Sequence, residues 1–219
     1  AVKKISGKIK IVGVSTLTSL NDKKLKIGYK FGLEFFNSKH GRVFVSKIKN
    51  KIIFIDLKIH DIPNTCVSTI KAIKDLKINY LTIHISSGLD ALKAVKKISG
   101  KIKIVGVSTL TSLNDKKLKQ TGHNKSVKNL VIHQAKLASK AKLDALVCSP
   151  HEVPYVKKIF KKEIITPGIR FKGEKNKDQS RVMTPSQAFK NGATSIVMGR
   201  SITKGNINWN IQKLIKSLN

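Results

Sequence analysis

The chain has 219 residues, 44 Lys and Arg against 12 Asp and Glu, a formal net charge of +32 and 40% hydrophobic residues. That apolar share is enough for a packed core, so wholesale disorder is excluded despite the charge. No apolar run approaches the ~20 residues that cross a bilayer, and Cys66 and Cys148 are too few for a disulfide framework. No membrane association is expected, and the reducing cytoplasm is the expected compartment. The early apolar run from Ile11 to Val14 is too short for a signal core.

In chain order, Lys10–Ser15 is a candidate first strand, followed by β-branched runs at Ile27–Gly32 and Ile52–Lys58. Val67, Ile70 and Ile73 recur at helical spacing over Thr65–Lys77. A strand at Tyr80–Ser86 precedes a helix at Leu89–Ile98, and a strand at Ile102–Ser108 precedes a helix at Lys125–Ala141. Strands at Ala145–Ser149, Ile164–Arg170 and Ser195–Gly199 follow, and the helix Ile207–Leu218 ends the chain. Near-continuous apolar strands separated by helices imply a parallel sheet buried on both faces. Seven such strands, with Lys10–Ser15 as the eighth, fit an α/β fold of the (β/α)8 TIM-barrel type. A doubly wound open sheet is the alternative, but no G-x-G-x-x-G follows any strand.

A repeat interrupts this alternation. Residues 1–26, AVKKISGKIKIVGVSTLTSLNDKKLK, are identical at every position to residues 94–119. Solenoid repeats recur at short periods with drift between copies. A single perfect copy at a distance of 93 positions reads instead as a recent or artificial duplication, with a functional tandem repeat as the weaker alternative. The second copy sits within the regular strand–helix alternation, whereas the first runs directly into Ile27-Gly28-Tyr29. Residues 1–26 are therefore set apart as an anomalous N-terminal segment, and 27–219 are expected to form one barrel domain. The first β/α unit is the doubtful part, because Ser15 to Lys26 is too short for a loop, a full helix and a second loop.

The basic excess raises the question of nucleic acid. Forty of the 44 basic residues are Lys, and Arg occurs only at positions 42, 170, 181 and 200. Readers of nucleic acid favour Arg for bidentate contacts to phosphate and guanine. Lys spread over nearly every segment reads as a compositional bias of solvated faces, and no nucleic-acid partner is expected. The scarce carboxylates are more informative.

In Ile53-Phe54-Ile55-Asp56-Leu57-Lys58-Ile59-His60-Asp61, strand alternation sends Asp56 and Lys58 to one face and Leu57 to the other. Lys30 stands at the corresponding level of the preceding strand. A structural ion-pair network is the plain alternative for these charges. Buried charges are costly unless paired, however, and a chain with 12 carboxylates places two of them in this short stretch. His84 is expected to be a packed strand-end histidine, Cys66 and Cys148 buried small hydrophobes, and Trp209 core. His60 is not clearly placed by alternation.

The segment DLKIHDIPNT resembles the signature of orotidine 5′-phosphate decarboxylases, which make UMP from orotidine monophosphate. The resemblance runs from about Ile27 to the C-terminus and includes YKFGLEFF, LTIHISSG, STLTS, TPGIR, DQSR and VMGRSIT. It implies that Lys58 is the proton donor to C6 of the pyrimidine. Asp56 would be the carboxylate facing the departing CO2, and Lys30 the lysine that holds Asp56 and a ribose hydroxyl. Asp61, with Ile62 and Thr65, would be contributed across a homodimer interface to the neighbouring site. Thr111 would line the base pocket, Gln179, Gly199 and Arg200 would grip the phosphate, and Arg170 would contact substrate. No cofactor and no metal are implied. Two alternatives stay open: a related barrel enzyme acting on a sugar phosphate, of the keto-gulonate-phosphate decarboxylase or hexulose-phosphate synthase type with Mg2+, and a non-enzymatic basic binding protein. The departure from the family pattern lies at the N-terminus. Members begin with a strand ending in an Ala-Leu-Asp-like triplet whose Asp contacts the ribose, and nothing in residues 1–26 matches it, so weak or absent activity is expected.

Overall fold

The computed structural model describes residues 14–21, 24–174 and 182–218. The chain opens with strands β1 (Val14–Asn21) and β2 (Lys24–Gly32), then the short helices α1 (Leu33–Phe36) and α2 (Gly41–Ser46). Strand β3 (Ile52–Ile59) leads to helix α3 (Pro63–Ala72), and β4 (Tyr80–His84) to a single 3-10 turn and α4 (Leu89–Ile98). After β5 (Lys103–Val107) come α5 (Asp115–Gln120) and α6 (Val127–Lys140), then β6 (Ala145–Val147) and α7 (Val153–Ile159). Strand β7 (Glu163–Thr166) and helix α8 (Pro185–Lys190) precede β8 (Ser195–Met198), α9 (Arg200–Thr203) and α10 (Ile207–Lys216).

The eight strands close into a barrel in sequence order. From β2 to β8 every neighbouring pair is parallel. Parallel pairing requires a crossover between consecutive strands, and the helices supply it. Alternation along each strand then divides the apolar residues into two layers. On β3, Phe54 faces inward with Val105, Ala145, Ile165 and Val197, forming the barrel's inner core. Ile53 and Ile55 face outward into the larger layer between strands and helices. Both cysteines are buried there, as expected for small hydrophobes. Among the described residues no helix is long and apolar enough to cross a membrane.

Strand β1 corrects the sequence reading. It was expected over Lys10–Ser15 and parallel, but the strand is Val14–Asn21 and runs antiparallel to both β2 and β8; residues before Val14 lie outside the described residues. Only two residues separate it from β2, and so short a link joins antiparallel strands, not parallel ones. Reversing the strand puts Asn21 at the level of Lys24, towards the opening of the barrel where the parallel strands begin, and Val14 and Ser15 at the level of Phe31 and Lys30.

The same eight residues, VSTLTSLN, occur again at 107–114 with a different conformation. There Val107 ends β5, Ser108 and Thr109 leave the strand, and Asn114 caps α5 by accepting the Lys117 amide. The context of the second copy fixes that outcome. Lys96 donates to both oxygens of Asp144 at 2.8 and 2.7 Å, and Asp144 also accepts the Ile104 amide at 2.9 Å. The Thr109 amide donates to Gln134 of α6, and Asp115 accepts the Val127 amide at the start of that helix. These partners occur once in the chain. The first copy cannot have them while the second does, and its alternating β-branched residues serve equally well in a hairpin.

Two further expectations change. Several strands end earlier than the apolar runs, β4 at His84 and β7 at Thr166, because the residues beyond them turn into loops at the C-terminal mouth. Trp209, expected in the core, is 63% exposed, with the Lys213 ammonium 5.4 Å from its ring. The buried side of α10 is carried by Asn210 and Leu214 with Ile207 and Ile211 beside them, and at ~100° per residue Trp209 lies about 150° round the helix from the centre of that stripe.

Candidate active site

At the N-terminal end of the barrel Tyr80 donates to Glu163 at 3.0 Å, and Glu163 also pairs with Lys103. These side chains form a polar cluster at that opening; in barrel enzymes generally the chemistry sits at the opposite, C-terminal mouth. Burial, and then the Glu163 carboxylate, push the Tyr80 phenol above its ordinary value; burial alone would lower Lys103, but hydrogen bonding and charge attraction to Glu163, with Tyr80, together raise it.

The mouth is charged where β2, β3 and β4 meet. Gly32 pairs with Asp56 and Lys30 with Phe54, so Lys30 sits one inward-facing step below Asp56 on the adjacent strand. Its ammonium reaches up to Asp56 Oδ2 at 2.6 Å. Lys58 Nζ approaches the other oxygen, Oδ1, at 2.9 Å. Asp56 is thus clamped between two ammonium groups while only 7% exposed. Burial by itself would raise its pKa; Lys30 and then Lys58, by charge and hydrogen bonding together, outweigh it and hold the carboxyl below the ordinary 3.8. The carboxylate is ionised at neutral pH, and the group carries one negative and two positive charges.

Lys58 has a left-handed backbone, φ +50°. A non-glycine residue in that region costs about 1–2 kcal/mol, and such strain concentrates where surrounding structure over-determines a functional position. The β3–β4 register is also irregular between Ile55 and Ile59, so Lys58 sits on a bulge.

His84 ends β4 half-buried, its ring 5.1 Å from that of His60. Burial, then His60 and Lys58, lower its pKa despite the opposing Asp56, so it is a neutral imidazole at physiological pH. His60, which alternation left unplaced, is exposed and lies 3.3 Å from Ser86 Oγ.

The remaining sequence candidates distribute around the mouth. Asp61, Ile62 and Thr65 are exposed at the turn into α3, and Asp61 Oδ1 accepts the Ile62 amide at 2.7 Å. Ile62 is 66% exposed, a large apolar side chain beside a carboxylate on the outer surface. Thr111 lies partly buried in the loop after β5. Arg170 follows β7 and donates from Nη1 to the Ile169 carbonyl; Gly199 and Arg200 follow β8, where Gly199 is the N-cap of α9. Gln179 lies outside the described residues. Glu174, in the loop after β7, accepts from Ser201 of α9 and ties those two loops together. Among the described residues no group of three or more His, Cys, Asp or Glu side chains gathers at one place.

One residue of the site was not singled out in the sequence. Thr82 of β4 is fully buried and donates to Asp56 Oδ1 at 3.1 Å. Its only signal was a hydroxyl among apolar neighbours, and threonine is common enough in strands to pass unnoticed.

The sequence matches the family described as Orotidine 5'-phosphate decarboxylase / HUMPS family over residues 17–208. The chain belongs to this family. Within the decarboxylase family, a relative from Wolbachia sp. subsp. Brugia malayi (strain TRS), named Orotidine 5'-phosphate decarboxylase, is 44% identical over 212 residues, covering 94% of this chain and 92% of its own. A Prochlorococcus marinus (strain MIT 9215) protein of the same name is 43% identical over 188 residues, covering 80% of this chain and 78% of its own. The solved orotidine 5'-phosphate decarboxylase from Lactobacillus acidophilus superposes with a TM-score of 0.75 at 31% identity, over 87% of this chain and 86% of that one.

Proposed function

We propose that this chain decarboxylates orotidine 5′-monophosphate to UMP in pyrimidine biosynthesis. The observation that carries this reading is the Lys30–Asp56–Lys58 arrangement, a buried carboxylate held between two ammonium groups at the mouth of a decarboxylase-family barrel. The bond between C6 of the pyrimidine and its carboxylate breaks, CO2 leaves, and the electron pair stays on C6. Lys58 Nζ then gives a proton to C6, and the resulting amine recovers its proton from water.

Each charge has a task in that step. The Lys58 ammonium stabilises developing negative charge at C6 before it transfers its proton, an electrostatic effect that needs no reorganisation because Asp56 already fixes the side chain. Asp56 stands next to the position of the substrate carboxylate, and Lys30 holds Asp56 and a ribose hydroxyl. Thr111 lines the base pocket. Arg170, Gln179, Gly199 and Arg200 receive the phosphate on the loops after β7 and β8, and binding energy from that remote group helps to orient the reacting base. Asp61, Ile62 and Thr65, exposed in the single chain, serve the neighbouring subunit of a homodimer. The activity is assigned to the barrel domain of residues 27–219; residues 1–26, the duplicate of 94–119, are an anomalous N-terminal segment whose Val14–Asn21 nevertheless closes the barrel between β2 and β8. The protein works in the cytoplasm without a cofactor.

The reversed β1 affects turnover. At the level of Lys30 it carries Ser15, next to Val14, so it delivers no carboxylate to the mouth. Losing one charge-assisted contact to the ribose costs about tenfold or more in kcat/KM. Orotidine 5′-monophosphate added to the purified chain is therefore expected to yield UMP, followed by ultraviolet absorbance, with kcat/KM at least about tenfold below that of the Wolbachia relative assayed alongside. No UMP at all would defeat the assignment; turnover equal to the relative's would defeat the role given to β1.

A further inference from the structure

Strands β3 and β4 pair at Ile55 with Leu81 and again at Ile59 with Ile83. Between those points β3 advances four residues and β4 two, so Asp56, Leu57 and Lys58 share Thr82 as their counterpart. A ladder interrupted in this way leaves backbone groups that need other partners. The Lys58 amide donates to Thr82 Oγ1 at 2.7 Å. Because an N–H is only a donor, the hydroxyl's own proton is free to point elsewhere, and it is donated to Asp56 Oδ1 at 3.1 Å. The same Oδ1 receives Lys58 Nζ at 2.9 Å.

These bonds form a closed circuit. It runs from the Lys58 amide through the Thr82 hydroxyl to the Asp56 carboxylate and returns through the Lys58 ammonium. Thr82 is the member that connects the strained backbone of Lys58 to the carboxylate holding its side chain, and its complete burial shields both bonds from water. A valine there fills the same volume and makes neither bond.

We propose that Thr82 is a positioning residue for the decarboxylation: its hydroxyl sets the Asp56 carboxylate and the left-handed backbone of Lys58, and thereby aims Lys58 Nζ. This rests on the reading of Lys58 as the proton donor. Thr82 touches no substrate in this role, so its removal acts on the chemical step more than on binding.

The test compares wild type, Thr82→Ser and Thr82→Val by steady-state kinetics with orotidine 5′-monophosphate and by NMR amide exchange at Lys58. Thr82→Val is expected to lower kcat about 10- to 100-fold with KM within about threefold, the cost of a misplaced reacting group. Thr82→Ser, which keeps the hydroxyl and loses a methyl, is expected to stay within about threefold of wild type in kcat, although it loses as much packing as any variant of the set. The Lys58 amide should exchange at least about tenfold faster in Thr82→Val than in wild type or Thr82→Ser. Wild-type kcat in Thr82→Val, or a Thr82→Ser variant as impaired as Thr82→Val, overturns the proposal. If the wild type forms no UMP, the functional reading fails separately, and the exchange rate decides: unchanged Lys58 protection in Thr82→Val overturns the positioning role. Should Thr82→Val not fold, Thr82→Ala replaces it with the same expectations.

Discussion

Lys58→Ala is expected to lower kcat for orotidine 5′-monophosphate by about 10³-fold or more, since it removes the ammonium proposed to act as both general acid and stabilising charge. KM should move far less, because the proposed phosphate grip lies on the loops after β7 and β8, away from Lys58. Lys58→Gly should be equally inactive, yet the two variants should differ in stability. The native φ of +50° strains any side chain at this position, and glycine alone adopts it without cost. Lys58→Gly should therefore be more stable than Lys58→Ala by about 1 kcal/mol in denaturant unfolding with unchanged m. Equal stability would mean that the backbone relaxes once the ammonium is gone, and that the side chain imposes the strain. Both variants also leave Asp56 with one ammonium fewer, so its pKa rises towards the ordinary value. Asp56 titrates below that value in the folded chain, so it contributes stability above pH 3.8 that is lost as pH falls through its folded pKa. That contribution should shrink in either variant, which unfolding at pH 3 and pH 6 would reveal.

Asp56→Asn is the second large effect. The amide keeps the size of the side chain and can still accept from Lys30 and Thr82, but the negative charge is gone. Two ammonium groups then face each other without a counter-charge, Lys30 with its side chain only 15% exposed. Breaking a buried ion pair from one side costs about 3–5 kcal/mol, and the lower end applies here because the Lys58 side chain is one-third exposed to water. Repulsion should also displace Lys58 Nζ, so kcat/KM is expected to fall by about 10³-fold or more. Thermal unfolding and steady-state kinetics on the same preparation check both parts. A stable, inactive Asp56→Asn would assign the carboxylate to chemistry alone. A destabilised but active one would make it purely structural.

Much of this site was legible in the chain because its logic is periodic. Alternation placed Asp56 and Lys58 on the inner face and Leu57 in the helix layer, and a parallel neighbour brought Lys30 beside them. The scarcity of carboxylates made the pair conspicuous. What alternation could not supply was the bulge. Nothing in DLKIHD signals a left-handed lysine or a four-against-two register, since these arise from pairing with a strand distant in sequence. Thr82 stayed hidden for the same reason, because its importance lies in facing that bulge. The first strand failed differently. VSTLTSLN has no fixed local preference: at 107–114 Thr109 is held by Gln134 and the flanking Ile104 and Asp115 are anchored to Asp144 and the Val127 amide, whereas at 14–21 a two-residue link turns it back as a hairpin with β2. Trp209 was misplaced by its size, although its place on the far side of the helix from Ile207, Ile211 and Leu214 already pointed outward.

The most direct test of the central claim is to incubate the purified chain with orotidine 5′-monophosphate in D2O containing a metal chelator and read the product by proton NMR. UMP carrying deuterium at C6 is expected from the wild type, with its rate of formation reduced by about 10³-fold in Lys58→Ala. UMP formed by Lys58→Ala at the wild-type rate, or no UMP from the wild type, would contradict it.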